Sequence, residues 1–295
     1  MSTEDANPGY VDLDLWETGD ALKVLHEEQL AAVAAVGPAL AAISAAVDGA
    51  ASRLKRGGRL VYVGAGTSAR IGVQDGAELP PTFNWPQDRL AFVIAGGEGA
   101  LLRAVENAED SGEAGAKQVE QIGIGANDVV LAIAASGETP FTVAAVKAAR
   151  QRGAMTVGIA NNPGSRLLEA SEHPILIETG AEPIAGSTRL KAGTAQKVVL
   201  NLFSTMTMVR LGKVYRGLMV HMRPTNDKLR RRAARMVATL VGCSPDAAAA
   251  SVAKADGDVK LAVLLARGLE SGAAKALLDR HDGNLRLALA EIASD

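Results

Sequence analysis

Residues 60–70 read LVYVGAGTSAR. The first four are apolar at successive positions. That is how a strand buried on both faces of a parallel sheet reads, whereas a strand with one wet face alternates. Gly64 and Gly66 then permit a tight turn with close backbone approach, and Thr67 and Ser68 open the following segment with two hydroxyls. Where such a loop runs into a helix, free N–H groups and the positive end of the helix dipole converge on one point, which makes a natural anion site. An ordinary strand-to-helix turn with a Thr/Ser cap reads the same way, and both readings stand at this level. A P-loop is excluded because no Gly-Lys-Ser/Thr follows. A dinucleotide site is disfavoured because the next strand ends in Ile94-Ala95-Gly96, with no acid to hold a ribose.

Four more short β-rich runs follow, at 90–95, 129–134, 155–159 and 174–177, each separated by helix-like segments. Strand–helix alternation of this kind predicts an α/β fold with a five-stranded parallel, doubly wound sheet whose ligand lies beyond the carboxyl ends of the strands. Upstream, residues 1–18 read as an irregular arm. Leu22, Leu25, Leu30, Val33, Val36, Leu40 and Ile43 then recur at helical spacing, with Gly37-Pro38 splitting the helix in two. Downstream, helices are expected over 191–211 and 225–241. In the tail, DGDVKLAV (256–263) echoes DGNLRLAL (282–289), which suggests two related helical hairpins. The expected organisation is an N-terminal arm with helices (1–54), an α/β domain (55–224) and a small helical module (225–295).

With 48% hydrophobic but only 3% aromatic residues, the core must be aliphatic. The 31 basic and 33 acidic side chains nearly cancel, so no global charge asks for nucleic acid or an anionic membrane. A single cysteine, Cys243, rules out an intrachain disulfide. The polar, acidic N-terminus lacks the pattern of a secretory signal, and no uninterrupted apolar run reaches about 18–20 residues. A cytoplasmic location with no membrane partner is therefore expected.

The third run exits into Ala135-Ser136-Gly137-Glu138-Thr139-Pro140, again a glycine and two hydroxyls before a helix with Pro at its start. Two such loops, after strands one and three, fit one sugar-phosphate crevice with Gly66, Thr67, Ser68, Ser136, Gly137 and Thr139 as ligands. Glu78 stands just before Pro80-Pro81, where a short helix is expected to end, an unfavourable place for a carboxylate. Past Gly96-Gly97 a helix is expected over 98–107, followed by Glu109 and Asp110. These two either cap the next helix or supply the second carboxylate of an acid/base pair. The segment from Glu182 through Ser187, Thr188 and Lys191 to Lys197 is dense in hydroxyls and cations. It reads either as substrate contacts or as a capped helix start with a solvated basic face. Arg230 to Arg235 form a basic helix face without interleaved aromatics, so solvation or a subunit ion pair fits better than nucleic acid. The four histidines lack metal-ligand spacing, and the methionines read as filler of a core or an interface.

In order along the chain, GAGTSARIGVQDGAELPPTF (64–83), IAGG (94–97) with NAEDS (107–111), SGETP (136–140), ANNPGS (160–165) and GSTRLKAGTAQKVVLNLFSTMTMVRLGKVYRGLMV (186–220) with PTNDKL (224–229) resemble the N-acetylmuramic acid 6-phosphate etherases. The resemblance runs from about Asn7 to Val237, and more loosely beyond. The GSTRLKAGTAQK block is specific, whereas SGETP is shared by many sugar isomerase (SIS) domains. The resemblance implies a three-layer SIS-type sandwich, a homodimer, no metal or organic cofactor, and conversion of N-acetylmuramic acid 6-phosphate and water to N-acetylglucosamine 6-phosphate and D-lactate. It implies that Glu78 protonates the departing lactyl oxygen, which would require burial to raise its pKa, and that Glu109 removes the C2 proton. Three residues depart from the family pattern: Ala69 stands for a usual Gly, Leu79 for Cys, and Glu138 for Arg. A sugar-phosphate sensor like the glucokinase regulatory protein, a SIS aldose–ketose isomerase and a SIS transcriptional regulator are the rival readings. The first could dispense with one glutamate. The second would lack the GSTRLKAGTAQK and AELPPTF motifs. The third would carry a basic helix-turn-helix where residues 20–53 are Ala-rich.

Overall fold

The computed structural model describes residues 2–103 and 105–294. They form two compact units, Met1–Ala77 with Gln87–Met206, and Glu78–Pro86 with Thr207–Asp295.

The first unit is built on five parallel strands: β1 (Leu60–Gly64), β2 (Leu90–Ile94), β3 (Val129–Ile133), β4 (Met155–Ala160) and β5 (His173–Leu176). Every residue of β1, β3 and β4 is buried, which is why these runs are mostly apolar without alternation. The strand order is β2-β1-β3-β4-β5. The chain leaves β1 outward to β2 and returns to lay β3 on the other side of β1, in register from Leu60↔Val129 to Gly64↔Ile133. The order reverses between β1 and β3, and a doubly wound sheet opens its crevice at that point.

Helices cover both faces, giving three layers. On one face Val61, Val63, Val130 and Ala132 pack with Val119 of α4 (Gly112–Gln121) and Phe141, Ala145 and Val146 of α5 (Pro140–Gln151). Leu167 of the short α6 (Arg166–Ala170) joins this cluster. The other face carries α2 (Leu40–Lys55), α3 (Gly66–Phe83) and α7 (Lys191–Arg210). Gly72 and Gly76 let α3 settle onto Tyr62, Phe92 and Ile133, since a Cβ on Gly76 would come within 2.8 Å of the Phe92 ring.

The split at Gly37-Pro38 is found: α1 (Thr18–Ala34) and α2 are separate helices joined by a 3-10 turn at Gly37–Ala39. As one segment, Thr18–Lys55 is long and apolar enough to cross a membrane by length and composition. In the fold, Ile43, Val47, Ala50 and Leu54 of α2 are buried in the core, and 33% of the segment's apolar window is buried. Two expectations are corrected. Among the described residues of 98–107, the expected helix is a single 3-10 turn at Glu98–Leu101, with Gly96 and Gly97 before it and a left-handed Asn107 at the far end. The helix carrying Glu78 does not end there but continues through Pro80 and Pro81 to Phe83. Leu79 and Phe83 bury their side chains, and apolar burial outweighs the hydrogen bonds that the prolines remove.

The second unit holds α8 (Asp227–Val241), α9 (Pro245–Lys254), α10 (Val259–Ala266), α11 (Ser271–Arg280) and α12 (Leu285–Ser294) around a core that includes Met236, Val237, Val252, Leu264, Leu277 and Leu285. The sequence repeat is a structural one. Asp256 and Asp282 are both left-handed at φ 51°, and the glycines after them donate to Val252 and Leu278. Asp258 and Asn284 then cap α10 and α12 from equivalent positions. Arg230 pairs with Asp227 on its own helix, and Met222 and Met236 are core residues.

Candidate functional site

The crevice at the strand-order reversal is bounded by the loops after β1 and β3. Gly64 is bare because the start of α3 backs onto it: a Cβ would sit 3.1 Å from the Ala69 nitrogen and 3.2 Å from the Ile133 carbonyl. Gly66 opens α3 with φ +53°, a left-handed conformation that glycine adopts without strain. The first-turn N–H groups at 66–68 have no helical acceptor, whereas Ala69 donates to Ala65.

The two hydroxyls of this loop differ. Ser68 is buried, and its Oγ donates to Gln196 Oε1 at 2.9 Å. Gln196 Nε2 donates to Asn161 Oδ1 at 2.9 Å, and Asn161 Nδ2 donates to the Ile177 carbonyl at 3.1 Å. One chain of bonds thus ties the loop after β1 to α7 and to the ends of β4 and β5. Thr67 is half-buried and makes no such bond among the described residues. Gln196 and Asn161 lay inside quoted motifs, but nothing local marked them as site residues.

In the β3 loop, Gly137 has φ +71°, and a Cβ there would fall 2.1 Å from Ser165 Oγ. The Gly137 carbonyl accepts from Leu167, and the Ala135 carbonyl accepts from Asn161, so the β3 and β4 loops are zipped together. Ser136 Oγ accepts from the Glu138 N–H at 3.1 Å. Thr139 occupies the N-cap position of α5 with no side-chain capping bond, which leaves its hydroxyl for another partner. Ser165 Oγ is buried with no partner among the described residues.

The family departures have visible places. Ala69 puts its methyl into a small buried cluster with Ile94 and Ala100. Leu79 is buried. Glu138 accepts from the Arg166 N–H at 2.9 Å and pairs with its guanidinium at 3.0 Å, so its charge is answered locally.

Ahead of α7, buried Glu182 accepts from the N–H groups of Lys191 and Ala192 at 2.9 and 3.0 Å. Its burial pushes its pKa up, against the pull of those bonds and of Lys191. Lys191 is buried too, in an ion pair with Glu28 and a 3.2 Å bond to the Ala181 carbonyl. Glu28 also accepts from Tyr10 Oη at 2.7 Å. Burial and that carboxylate push the Tyr10 pKa up to about 12. Lys191 therefore braces α7 against α1. Ser187 and Thr188 are half-buried in the loop before α7.

Glu109 lies in a 3-10 turn, Ala108–Asp110, behind left-handed Asn107. Of the two sequence readings, capping falls to Ser111, whose Oγ accepts from the Ala114 N–H. Glu109 is exposed, on a turn packed against α5, and Gly112 lies close to the Pro140 carbonyl at the start of that helix. This brings Glu109 toward the Ser136–Thr139 loop. Glu78 is exposed, so the burial expected for an acid is not supplied within the single chain. Pro80 and Pro81 lack the N–H groups that would bond to the carbonyls of Gly76 and Ala77.

Residues 42–150 match the glucokinase regulatory protein N-terminal SIS domain, and residues 107–206 match the SIS domain. A phosphoheptose isomerase structure from Francisella tularensis superposes with TM-score 0.51 at 20% identity, over 66% of this chain and 100% of that one, a likeness of fold. An N-acetylmuramic acid 6-phosphate etherase of Deinococcus radiodurans is 50% identical over 98% of this chain and 95% of its own length. Etherases of Streptomyces avermitilis and Rubrobacter xylanophilus are 45% and 46% identical over 98% and 99% of this chain, and over 94% and 96% of their own lengths. With near-complete mutual coverage at such identity, and an α/β sheet of the same fold carrying two glycine–hydroxyl loops at its crevice, this chain belongs to the N-acetylmuramic acid 6-phosphate etherase family.

Proposed function

We propose that this protein cleaves the D-lactyl ether of N-acetylmuramic acid 6-phosphate, giving N-acetylglucosamine 6-phosphate and D-lactate. The observation that carries the reading is the chain-long similarity to etherases. The phosphate is assigned to the crevice between β1 and β3, held by the N–H groups at 66–68 and by Thr67, Ser68, Ser136, Gly137 and Thr139. Ser68 donates its proton to Gln196 in the structure, and holding a phosphate oxygen requires that hydroxyl to turn away from Gln196. Ser187, Thr188 and Lys191 are assigned to the sugar side of the crevice, with Lys191 acting on the backbone that it braces.

The chemistry needs a base and an acid. An ether oxygen leaves poorly without a proton, and a sugar C2–H is weakly acidic until ring opening places an aldehyde at C1. Glu109 is assigned the C2 proton and Glu78 the protonation of the departing lactyl oxygen. Elimination breaks the C3–O bond and leaves an unsaturated aldehyde. Water then adds its hydroxyl at C3 and its proton at C2. Both carboxylates are exposed in the single chain, and we assign their exclusion from water to a homodimer. The assignment is to a cytoplasmic enzyme acting without metal or cofactor.

Incubation with N-acetylmuramic acid 6-phosphate tests the reading, with D-lactate as the readout. Lactate from the wild type, with loss in Glu78→Gln and Glu109→Gln while the sugar phosphate still binds, supports it. The match to the glucokinase regulatory protein domain favours one second reading, a sugar-phosphate sensor. Binding without lactate in the wild type would select that one.

A further inference from the structure

The second unit contains a cavity of about 350 Å³ whose wall includes His221, Arg223, Lys254, Lys275, Asp256 and Asp258. Arg223, Lys254 and Lys275 form no ion pair among the described residues. Asp258 is engaged elsewhere: its Oδ1 accepts from the Leu261 N–H at 3.0 Å and caps α10. Behind the wall is Lys260, 3% exposed, with its ammonium donating to the Gly283 carbonyl. Burial and then Lys213 push the Lys260 pKa down to about 8, with Asp258 opposing. His221 responds more strongly. Burial, followed by the charges of Lys260, Lys213 and Arg223, pushes its pKa down to about 3. The region thus holds more positive charge than its own carboxylates balance, part of it desolvated. Buried charge is costly without a counter-charge, and an anion in the cavity would supply one. Asn84, held left-handed at φ 50°, completes the wall.

We propose that this cavity binds a small phosphate-bearing molecule, with its oxyanion among Arg223, Lys254 and Lys275 and its hydroxyl-bearing part toward Asp256. A phosphate offers several acceptors to cations arriving from different elements, which suits three separate side chains better than one carboxylate would. The cavity has room for more than the phosphate alone, and a free carboxylate on the wall accepts from hydroxyls. The site uses only residues of the second unit and shares none with the β1–β3 crevice, so it stands whether or not the etherase reading does.

The chain has four histidines, so imidazole NMR of the full-length protein resolves the question. Inorganic phosphate is titrated first and glucose 6-phosphate second, with the His221 signal identified by its loss in His221→Gln. The expected result is a phosphate-dependent shift of that signal and a rise in its pKa, because an adjacent anion favours imidazolium. Binding should weaken about tenfold in Arg223→Ala and in Lys275→Ala, the loss of one charge-assisted hydrogen bond in each. An unchanged signal from His281, which lies in the same unit, reports that these exposed-site variants fold. The response should persist in Ser68→Ala. A His221 signal that ignores phosphate, a response unaltered in Arg223→Ala and Lys275→Ala, or one abolished by Ser68→Ala overturns the proposal.

Discussion

Ser111 rather than Glu109 caps α4, and that division of labour makes a clean pair of variants. Ser111→Ala should cost about 1 kcal/mol of stability in a denaturant melt and leave lactate release near wild type. Glu109→Gln should melt like the wild type but lose roughly 10²–10⁴-fold in kcat, the usual contribution of a positioned acid or base. Equal losses of activity in both would mean that the turn, and not the carboxylate, matters. A second residue-scale case is Asp75, which is buried with no cation in contact among the described residues. It accepts from Tyr62 Oη at 2.8 Å, Asn201 Nδ2 at 2.7 Å and Ser204 Oγ at 3.0 Å, tying α3 to β1 and α7. Burial, then the Asp75 charge, holds the Tyr62 hydroxyl protonated far above the usual range. Tyr62→Phe leaves that carboxylate one donor short, so a loss of about 1–3 kcal/mol is expected in urea unfolding.

Elements meet in this fold where side chains are missing. Gly115 on α4 lies against α5, and a Cβ there would be 2.2 Å from the Phe141 carbonyl oxygen. Gly115→Ala must push the two helices apart, and a cost of about 1–3 kcal/mol is expected. The paired hairpins of the second unit make a sharper comparison. Gly257 and Gly283 have φ of +80° and +69° in equivalent turns. A Cβ on Gly257 would meet the rigid Pro224 ring at 2.8 Å, whereas one on Gly283 meets only the flexible end of Lys260 at 3.4 Å. Both alanine variants carry the strain of about 1–2 kcal/mol for a left-handed L-residue, but Gly257→Ala should melt at the lower temperature. The reverse order would show that the turns are not equivalent.

Acid stability is a property of the whole molecule. Burial alone would raise the Asp128 pKa. The Arg59 guanidinium and the N–H groups of Gly125 and Arg59 together outweigh it, and the net shift is downward. A lowered carboxylate pKa contributes stability that is present above the unfolded value, about 3.9, and lost as the pH falls through the folded one. Glu28, held down by Lys191 and Tyr10 against its own burial, acts in the same direction. Glu182 has a raised pKa and acts oppositely, its contribution declining as the pH rises past the ordinary carboxylate range. Urea midpoints measured from neutral pH to below 4 should therefore fall on the acid side, and Asp128→Asn should flatten that fall while lowering the neutral plateau.

What the chain carries locally was enough for the architecture. Consecutive aliphatic residues specify strands buried on both faces, because burial acts on each residue where it stands, and all five strands lie within a residue or two of their expected ends. Gly66 and Gly137 were legible for the same reason, since a positive φ is a property of one residue. The division of roles among the polar groups was not local. Ser68 meets Gln196 across 128 positions, and Lys191 meets Glu28 from another helix. The persistence of α3 through Pro80 and Pro81 depends on where Leu79 and Phe83 are buried. Hydrogen bonds and ion pairs between distant segments form only once the sheet has brought them together. Which hydroxyls cap, which cations brace and which remain for a ligand was decided by the tertiary structure.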